Sequence, residues 1–252
     1  MPDFLHKDRS AKLFIILSGL FITIALVSEV IGVKIFSLEK TLGLDPVDWS
    51  LFGMQHLSFN LTAGVLSWPL VFVLSDIINE YFGIRAVRFL SILTSIFILF
   101  AFFAFSMAIG FVPADFWPTS HLSSTEQNPS VQDLNKAYQL ILGQGNWIII
   151  GSLVAFLVGQ ILDAFVFQKI KVITGSKHIW LRATGSTMIS QWVDSYIVLF
   201  IAFYIGAGWP LTQVLAIGTM NYFYKATSAI VLTPLIYLAH YWIDKYLKKS
   251  WD

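Results

Sequence analysis

The sequence predicts an all-α membrane protein, in which a six-transmembrane-helix bundle forms a single integral membrane domain over residues 1–252. Composition supports this class, because 56% of the 252 residues are hydrophobic and only 12% are charged. A soluble domain typically carries about 25% charged residues. Six apolar segments also reach the roughly 20 residues that a helix needs to cross a bilayer. We place these spans near 13–36, 59–80, 87–112, 147–170, 184–206 and 211–239.

Lys and Arg are distributed unevenly between the two sides of the predicted bundle. The N-terminus, the 2–3 loop, the 4–5 loop and the C-terminal tail hold most of them, whereas the opposite side holds Lys34, Lys40 and Lys136. Cytoplasmic loops are enriched in Lys and Arg. We therefore expect both termini in the cytoplasm and the chain in the cell inner (plasma) membrane as a multi-pass protein.

The outer side carries two long loops, near 37–58 and 113–146. In the second, Ser130 and Asp133 resemble a capping-box start, and apolar residues then recur at helical spacing. This pattern predicts a short helix at the outer surface, which is either an ordinary loop helix or a lid.

Several chemistries have no support in the sequence. The chain has no cysteine, which excludes disulfides, thiolate catalysis and Cys-based metal sites. It has no G-x-x-x-x-G-K-[ST] phosphate loop, no H-E-x-x-H zinc motif and no G-x-S-x-G elbow. A net charge of +1 gives no reason to propose nucleic-acid binding. We expect no catalytic residues, no metal and no cofactor, which leaves transport or binding of a small solute in the lipid bilayer.

Polar residues recur inside the predicted spans. Two successive spans each carry a Gln followed three residues later by an Asp: Gln160/Asp163 and Gln191/Asp194. This spacing puts both groups on one helix face, and ionisable groups inside a membrane usually mark a functional site. The remaining candidates on the other spans are Glu29, Asp76, Asn79, Glu80, Arg182, Asn221 and Lys225.

Depth along the helices, at about 1.5 Å per residue, makes Asp194 and Lys225 neighbours near the midplane. Arg182 lies nearer the cytoplasmic side, where it could pair with a carboxylate. The alternative interpretation is that all these groups form buried ion pairs and hydrogen bonds that only hold the helices together.

Four blocks of sequence resemble the queuosine precursor transporter family, a group formerly labelled as vitamin uptake transporters. They are WPLVFVLSDIINEYFG, VGQILDAFVFQKIK, WLRATGSTMISQWVDS and NYFYKATSAIVLTPLIY. The resemblance implies a bundle similar to energy-coupling-factor substrate-binding subunits. It also implies import of queuosine precursors, 7-cyano-7-deazaguanine and 7-aminomethyl-7-deazaguanine, for salvage into tRNA modification. Glu29 departs from the family, which we associate with a neutral Asn in the first span.

The polar residues suit such a base independently of the resemblance. A guanine-like edge offers adjacent N–H donors and one carbonyl acceptor, which match a carboxylate and an amide or cation. Its ring can stack on aromatic side chains. We expect the edge to be read by Asp163, Asp194 and Glu80, completed by the amides Gln160, Gln191, Asn79 and Asn221, with charge balanced by Lys225 and Arg182. Asp76 is either structural or proton-linked, and Glu29 would alter substrate choice or proton coupling if it lines the site.

Other functions stay open at this point. The first span lacks an Ala-x-x-x-Ala pair of the kind that docks an energising partner, so an ATP-driven module is not required, though it is not excluded. The alternatives are a substrate-binding subunit, a carrier for a different vitamin or nucleobase, a membrane enzyme, and a proton or ion channel. The energy source and any homo-oligomer formation also stay open.

Overall fold

The computed structural model describes residues 8–122, 130–175 and 178–247. The helices are α1 (Arg9–Ile31), α2 (Leu38–Thr41), α3 (Trp68–Phe82), α4 (Ile84–Gly110), α5 (Leu134–Leu142), α6 (Asn146–Thr174), α7 (Ile179–Leu199) and α8 (Leu211–Leu247). The strands are β1 (Ile35–Ser37), β2 (Trp49–Leu51), β3 (Met54–Leu57) and β4 (Asn60–Thr62). They form two small antiparallel sheets, β1–β4 and β2–β3. The described part of the chain is therefore mostly helical, as the sequence predicts.

Five helical stretches among the described residues are long and apolar enough to cross a membrane. They are Arg9–Ile31, Ile84–Gly110, Leu134–Thr174, Ile179–Ile205 and Leu211–Leu247. The fourth includes a π-helical extension of α7 over Phe200–Ile205. Their outward faces carry large exposed apolar side chains, such as Phe100 and Phe103 of α4 at 67% and 62% exposure. Such faces suit lipid, which makes this a multi-pass membrane protein.

The second predicted span differs from the helix that the structure contains. Helix α3 begins at Trp68, and its 15 residues extend about 22 Å. Residues 60–66 form β4 and a 3₁₀ turn instead. Pro69 lies in the first turn of α3, where its missing N–H removes no helical hydrogen bond. Gly64 lets the 3₁₀ turn approach α1, because a Cβ there would lie 2.3 Å from the backbone oxygen of Ser28.

Helix α3 lies at the centre of the bundle. It contacts α1, α4, α6, α7 and α8, and side chains around most of its circumference are buried, including Val71, Phe72, Ile77 and Ile78. A helix enclosed by five others meets little lipid. A length below a full span is therefore compatible with a place inside the bundle.

The two ends of the bundle differ in charge and structure. At one end, Arg9 Nη1 donates to the backbone oxygen of Tyr246 at 3.0 Å, and the Tyr81 hydroxyl donates to Asp244 at 2.7 Å. These contacts join the start of α1 to the ends of α3 and α8. We call this the basic end, because Lys171 also lies there beside α3.

The opposite end, which we call the capped end, is built from the strands, α2 and α5. Glu39 is buried there and accepts the N–H of Phe59 at 2.7 Å. Burial alone would raise the pKa of Glu39, but hydrogen bonds from Phe59 and nearby backbone groups outweigh it and lower the pKa below 4.5. The short helix predicted within residues 113–146 is confirmed as α5. Asp133, rather than Ser130, caps it by accepting the N–H groups of Asn135 and Lys136.

Candidate functional site

A cavity of about 380 Å³ lies between α1, α3, α6, α7 and α8, below the capped end. This volume falls in the usual range of roughly 300–1,000 Å³ for small-molecule sites. Five of the sequence-predicted residues line it: Glu29, Gln191, Asp194, Asn221 and Lys225. They come from α1, α7 and α8, so three separate helices direct polar groups into one space.

Asp194 and Lys225 form the predicted ion pair across this cavity. Lys225 Nζ donates to Asp194 Oδ2, and the two side chains are 12% and 15% exposed. The pair leaves the other carboxylate oxygen of Asp194 and two ammonium protons of Lys225 for other partners. The cavity wall therefore presents an acceptor and a donor side by side without adding net charge.

Glu29 supplies the other carboxylate of the cavity. Its side chain is 8% exposed, and one oxygen accepts a hydrogen bond from Ser152 Oγ of α6. No ion pair among the described residues includes Glu29. Lys225 balances Asp194, whereas Glu29 has no counter-charge among the described residues, so burial disfavours its ionised form unless a cation lies beside it. A neutral or cationic solute fits this balance better than an anionic one.

Aromatic rings form part of the wall. Trp68, Phe72, Phe156 and Phe203 line the cavity, and the rings of Trp68 and Phe156 lie 5.3 Å apart between centroids. A planar solute can stack on such rings while its edge reaches polar groups.

Residues of the capped end form part of the cavity wall. Gly143, Gln144 and Gly145, which join α5 to α6, line it together with Thr62 of β4. Gln144 Nε2 donates to the backbone oxygen of Glu29 at 3.4 Å. This long hydrogen bond ties the α5–α6 connection to the end of α1.

Two predicted carboxylates, Asp76 and Asp163, lie outside the cavity. They are 2% and 0% exposed and are close enough to interact with each other. Asp163 Oδ1 accepts hydrogen bonds from Ser190 at 3.1 Å and Thr187 at 3.3 Å. A second pocket of about 20 Å³ reaches Asp76 and shares Gln191 as a wall with the large cavity.

Glu80 and Arg182 meet at the basic end, as their depth suggests. Glu80 contacts Arg182 Nη2 at 2.9 Å and Lys171 Nζ at 3.1 Å. One residue earlier on α3, Asn79 donates to the backbone oxygen of Ala164 at 3.1 Å. These contacts hold α3 against α6 and α7, which fits the alternative interpretation that such polar groups hold the helices together.

Residues 62–239 match the family model described as "Putative vitamin uptake transporter". The chain belongs to this family. The matched region runs from the last residue of β4 into α8 and so includes four of the five predicted residues that line the cavity. Glu29 lies ahead of it.

Three curated proteins that are similar to the chain carry the names of transporters. The chain is 29% identical over 190 residues to the "Probable queuosine precursor transporter" of Bacillus subtilis (strain 168), covering 72% of this chain and 73% of that protein. It is 26% identical over 184 residues to the protein of that name in Haemophilus influenzae, covering 73% and 69%. It is also 26% identical over 176 residues to the "Queuosine precursor transporter" of Escherichia coli (strain K12), covering 69% and 70%. No solved structure matches the chain.

Membership of the vitamin uptake transporter family makes this protein a membrane transporter and not an enzyme. The relatives are all named as transporters, in agreement with the absence of catalytic motifs from the sequence. A small-molecule substrate and a position in the bilayer follow from the same assignment.

The structure separates the eleven predicted site residues into two groups. Five line the cavity, and six do not: Asp76, Asn79, Glu80, Gln160, Asp163 and Arg182. Gln160 is fully buried, and neither polar atom of its amide has a hydrogen-bond partner among the described residues. The repeated spacing predicts that Gln160/Asp163 and Gln191/Asp194 are equivalent pairs, but only the second pair lines the cavity.

Several wall residues carry no signal in the sequence that would select them. These are Ser28, Trp68, Phe72, Gln144, Ser152, Phe156 and Phe203. Ser28, Ser152 and Gln144 are neutral, so their presence in a membrane protein costs less than that of a charged residue and does not by itself indicate a site. The aromatic residues are hard to select in a chain with 22 Phe and 9 Trp, although Trp68 and Phe72 lie within the WPLVF block on the same helix as Asp76.

Proposed function

We propose that the protein imports queuosine precursors, which are 7-deazaguanine bases, across the cell inner membrane for salvage into tRNA modification. The observation that carries the proposal is the shared cavity, in which a carboxylate–ammonium pair, three amides and aromatic rings surround one space. The names of the relatives point to the same substrate class.

Asp194 and Lys225 form the centre of the proposed base-reading edge. The free carboxylate lone pairs of Asp194 accept the ring N–H and exocyclic amino protons of the base. The ammonium of Lys225, or the amides of Gln191 and Asn221, donate to its carbonyl oxygen. Each of these side chains lines the cavity, and this shared location is why we assign them to the base edge.

Stacking and charge complete the proposed recognition. The purine-like ring lies against Trp68 and Phe156, whose tilted arrangement offers a face to a planar solute. Glu29 then takes the substituent on the five-membered ring. An aminomethyl cation would neutralise Glu29, whereas a cyano group would leave its charge unbalanced, so we infer a preference for the aminomethyl precursor.

The finer membrane arrangement belongs to the same proposal. Helix α3 completes a bundle of six helices, and both termini lie in the cytoplasm with the basic end. The capped end then faces outward, and the cavity below it captures solute from outside. The likeness to energy-coupling-factor substrate-binding subunits stays a prediction, as does transport without an ATP-driven module.

The direct test is ligand binding to the purified protein, by thermal shift and calorimetry, with guanine as the control ligand. A ligand that binds the folded state stabilises it by about 2.7 kcal/mol at 100 times its Kd. We expect stabilisation by the aminomethyl and cyano deazaguanines, and its loss in Asn221→Leu, which removes the amide at similar volume. Thr94→Val serves as the matched control, because Thr94 is buried on α4 away from the cavity. If neither precursor stabilises the unmodified protein, the proposed substrate class is wrong.

A further inference from the structure

Asp76 and Asp163 form a carboxyl pair that the proposed recognition of the base does not use. Asp76 lies on α3 and Asp163 on α6, and both are almost fully buried. Thr187 donates to Asp163 and lines one small pocket with Asp76, so the two carboxyls are near neighbours. Oδ1 of Asp76 and Oδ2 of Asp163 have no hydrogen-bond partner among the described residues. The ion pairs in that part of the chain include neither residue.

The charged groups around this pair are already balanced elsewhere. Glu80 lies one turn beyond Asp76 on α3, where Arg182 of α7 and Lys171 of α6 hold its charge. Lys225 of α8 shares the small pocket with Asp76, but its ammonium is bound to Asp194.

Two ionised carboxylates in this setting would repel each other and lose their hydration. The hydroxyls of Thr187 and Ser190 donate to only one oxygen of Asp163. One bound proton removes the repulsion and gives one carboxyl an O–H that can donate to the other. The chemistry of the pair therefore favours a state that holds a single proton.

The small pocket lies next to the large cavity. Its volume of about 20 Å³ is enough for one water molecule, which needs roughly 10–15 Å³ on this measure. Gln191 and Lys225 line both spaces, and Gln191 Nε2 lacks a hydrogen-bond partner among the described residues. A water in the pocket could therefore bridge the wall of the solute cavity to Asp76.

We propose that the Asp76–Asp163 pair binds the proton whose downhill movement drives solute import. A proton from water in the small pocket forms an O–H bond on one carboxyl while solute occupies the cavity. The same O–H bond breaks towards water at the basic end, beyond Glu80, after the solute is released. The cycle returns the pair to its starting charge and moves one proton with one solute. This inference rests on the proposed function, because it needs a transported solute.

The first experiment uses the full chain in liposomes with labelled aminomethyl-deazaguanine. Exchange between equal inside and outside pools measures transport without a driving force, and accumulation under an acid-outside pH gradient measures coupling. One pH unit supports at most tenfold accumulation per proton, which corresponds to about 1.4 kcal/mol. We also expect a pH-sensitive dye inside the vesicles to report acidification when solute is added.

The outcomes of this experiment separate the two proposals. If no exchange of either precursor occurs, the proposed function fails and the coupling inference falls with it. If exchange occurs without dye-reported acidification, or if a sodium gradient drives accumulation at constant pH, the proton inference is overturned while the proposed function stands.

The second experiment compares Asp163→Asn and Asp76→Asn with Asp244→Asn, an acid at the basic end that does not face the pair. We expect the first two variants to keep exchange at the rate of the unmodified protein but to lose gradient-driven accumulation, so that the inside-to-outside ratio falls to one. Asp244→Asn should keep both activities. Retained accumulation in both pair variants, or loss of solute binding in folded variants, would overturn the inference. If neither variant folds, the dye measurement on the unmodified protein decides the case.

Discussion

Removing Asp194 alone should cost more stability than removing Asp194 and Lys225 together. Asp194→Asn keeps the size of the side chain but leaves the ammonium of Lys225, which is 12% exposed, without its counter-charge. Breaking a buried pair costs roughly 3–5 kcal/mol because an uncompensated charge remains. The adjoining cavity admits water and softens this cost, so we take the lower limit of about 3 kcal/mol.

The assay is a double-mutant cycle on thermal unfolding of the purified protein. At about 2–4 °C per kcal/mol for a chain of this size, Asp194→Asn should lower the unfolding temperature by roughly 6–12 °C. Adding Lys225→Met removes the buried charge and should restore most of the loss. The double variant should still fail to bind a precursor, because both groups that we assign to the base edge are gone.

Two results would refute this reasoning. If Asp194→Asn unfolds within a degree of the unmodified protein, Lys225 is solvated well enough not to need its partner. If the double variant loses the sum of the two single losses, the residues act independently despite their contact.

The structure also predicts the effects of three further substitutions on stability, ligand preference and pH dependence. Gly64→Ala should destabilise the protein by about 1–3 kcal/mol through overpacking, because its Cβ would meet backbone 2.3 Å away. Gly19→Ala is the control, because a Cβ there meets nothing within 4 Å, and it should stabilise α1 by about 0.5–1 kcal/mol. Equal unfolding temperatures for Gly64→Ala and Gly19→Ala would contradict the close contact between Gly64 and α1. Glu29→Gln should reduce the preference for the aminomethyl over the cyano precursor by about ten- to a hundredfold, since a hydrogen bond to a charged group contributes about 1.5–3 kcal/mol. Calorimetry with both ligands measures the ratio of the two affinities. An unchanged ratio would show that Glu29 does not contact the substituent. The lowered pKa of Glu39 means that its ionised form stabilises the fold above pH 4.5 and that this stability is lost as pH falls through the lower folded value. The stability deficit of Glu39→Gln against the unmodified protein should therefore shrink in acid, and a deficit that is constant down to pH 3 would show that the carboxylate charge is irrelevant.

Hydropathy and charge predicted the helical class and most of the long helices, because a lipid-facing surface leaves a direct compositional mark. The start of α3 could not be read in this way. Residues 59–67 are apolar enough to extend a span, yet β4 and the 3₁₀ turn form there. Their register depends on pairing with β1 and on the close approach of Gly64 to α1, and both are contacts between distant parts of the chain.

One part of the candidate site, the ion pair between Asp194 and Lys225, was predictable from the charges and depths of the two residues. Asp194 and Lys225 lie at matching depths on neighbouring helices, so their pairing followed from the rise per residue. Asp163 has the same local pattern as Asp194, but its rotation on α6 directs it to Asp76 and Ser190 rather than to the cavity. The rotation of a helix about its axis depends on its packing against every neighbouring helix. The Gln-x-x-Asp spacing carries no information about that packing.

The central position of α3 makes it a mechanical link as well as a support. Phe72 touches the large cavity and the small pocket, Asp76 belongs to the carboxyl pair, and Glu80 holds the basic end. All three lie within three turns of one rod, which is bounded by Pro69 and by Gly83 at φ +80°. A shift of α3 by about one ångström along its axis would change the contact of Phe72 with the solute, of Asp76 with Asp163 and of Glu80 with Arg182 at the same time. The three changes would therefore be coupled directly through one helix.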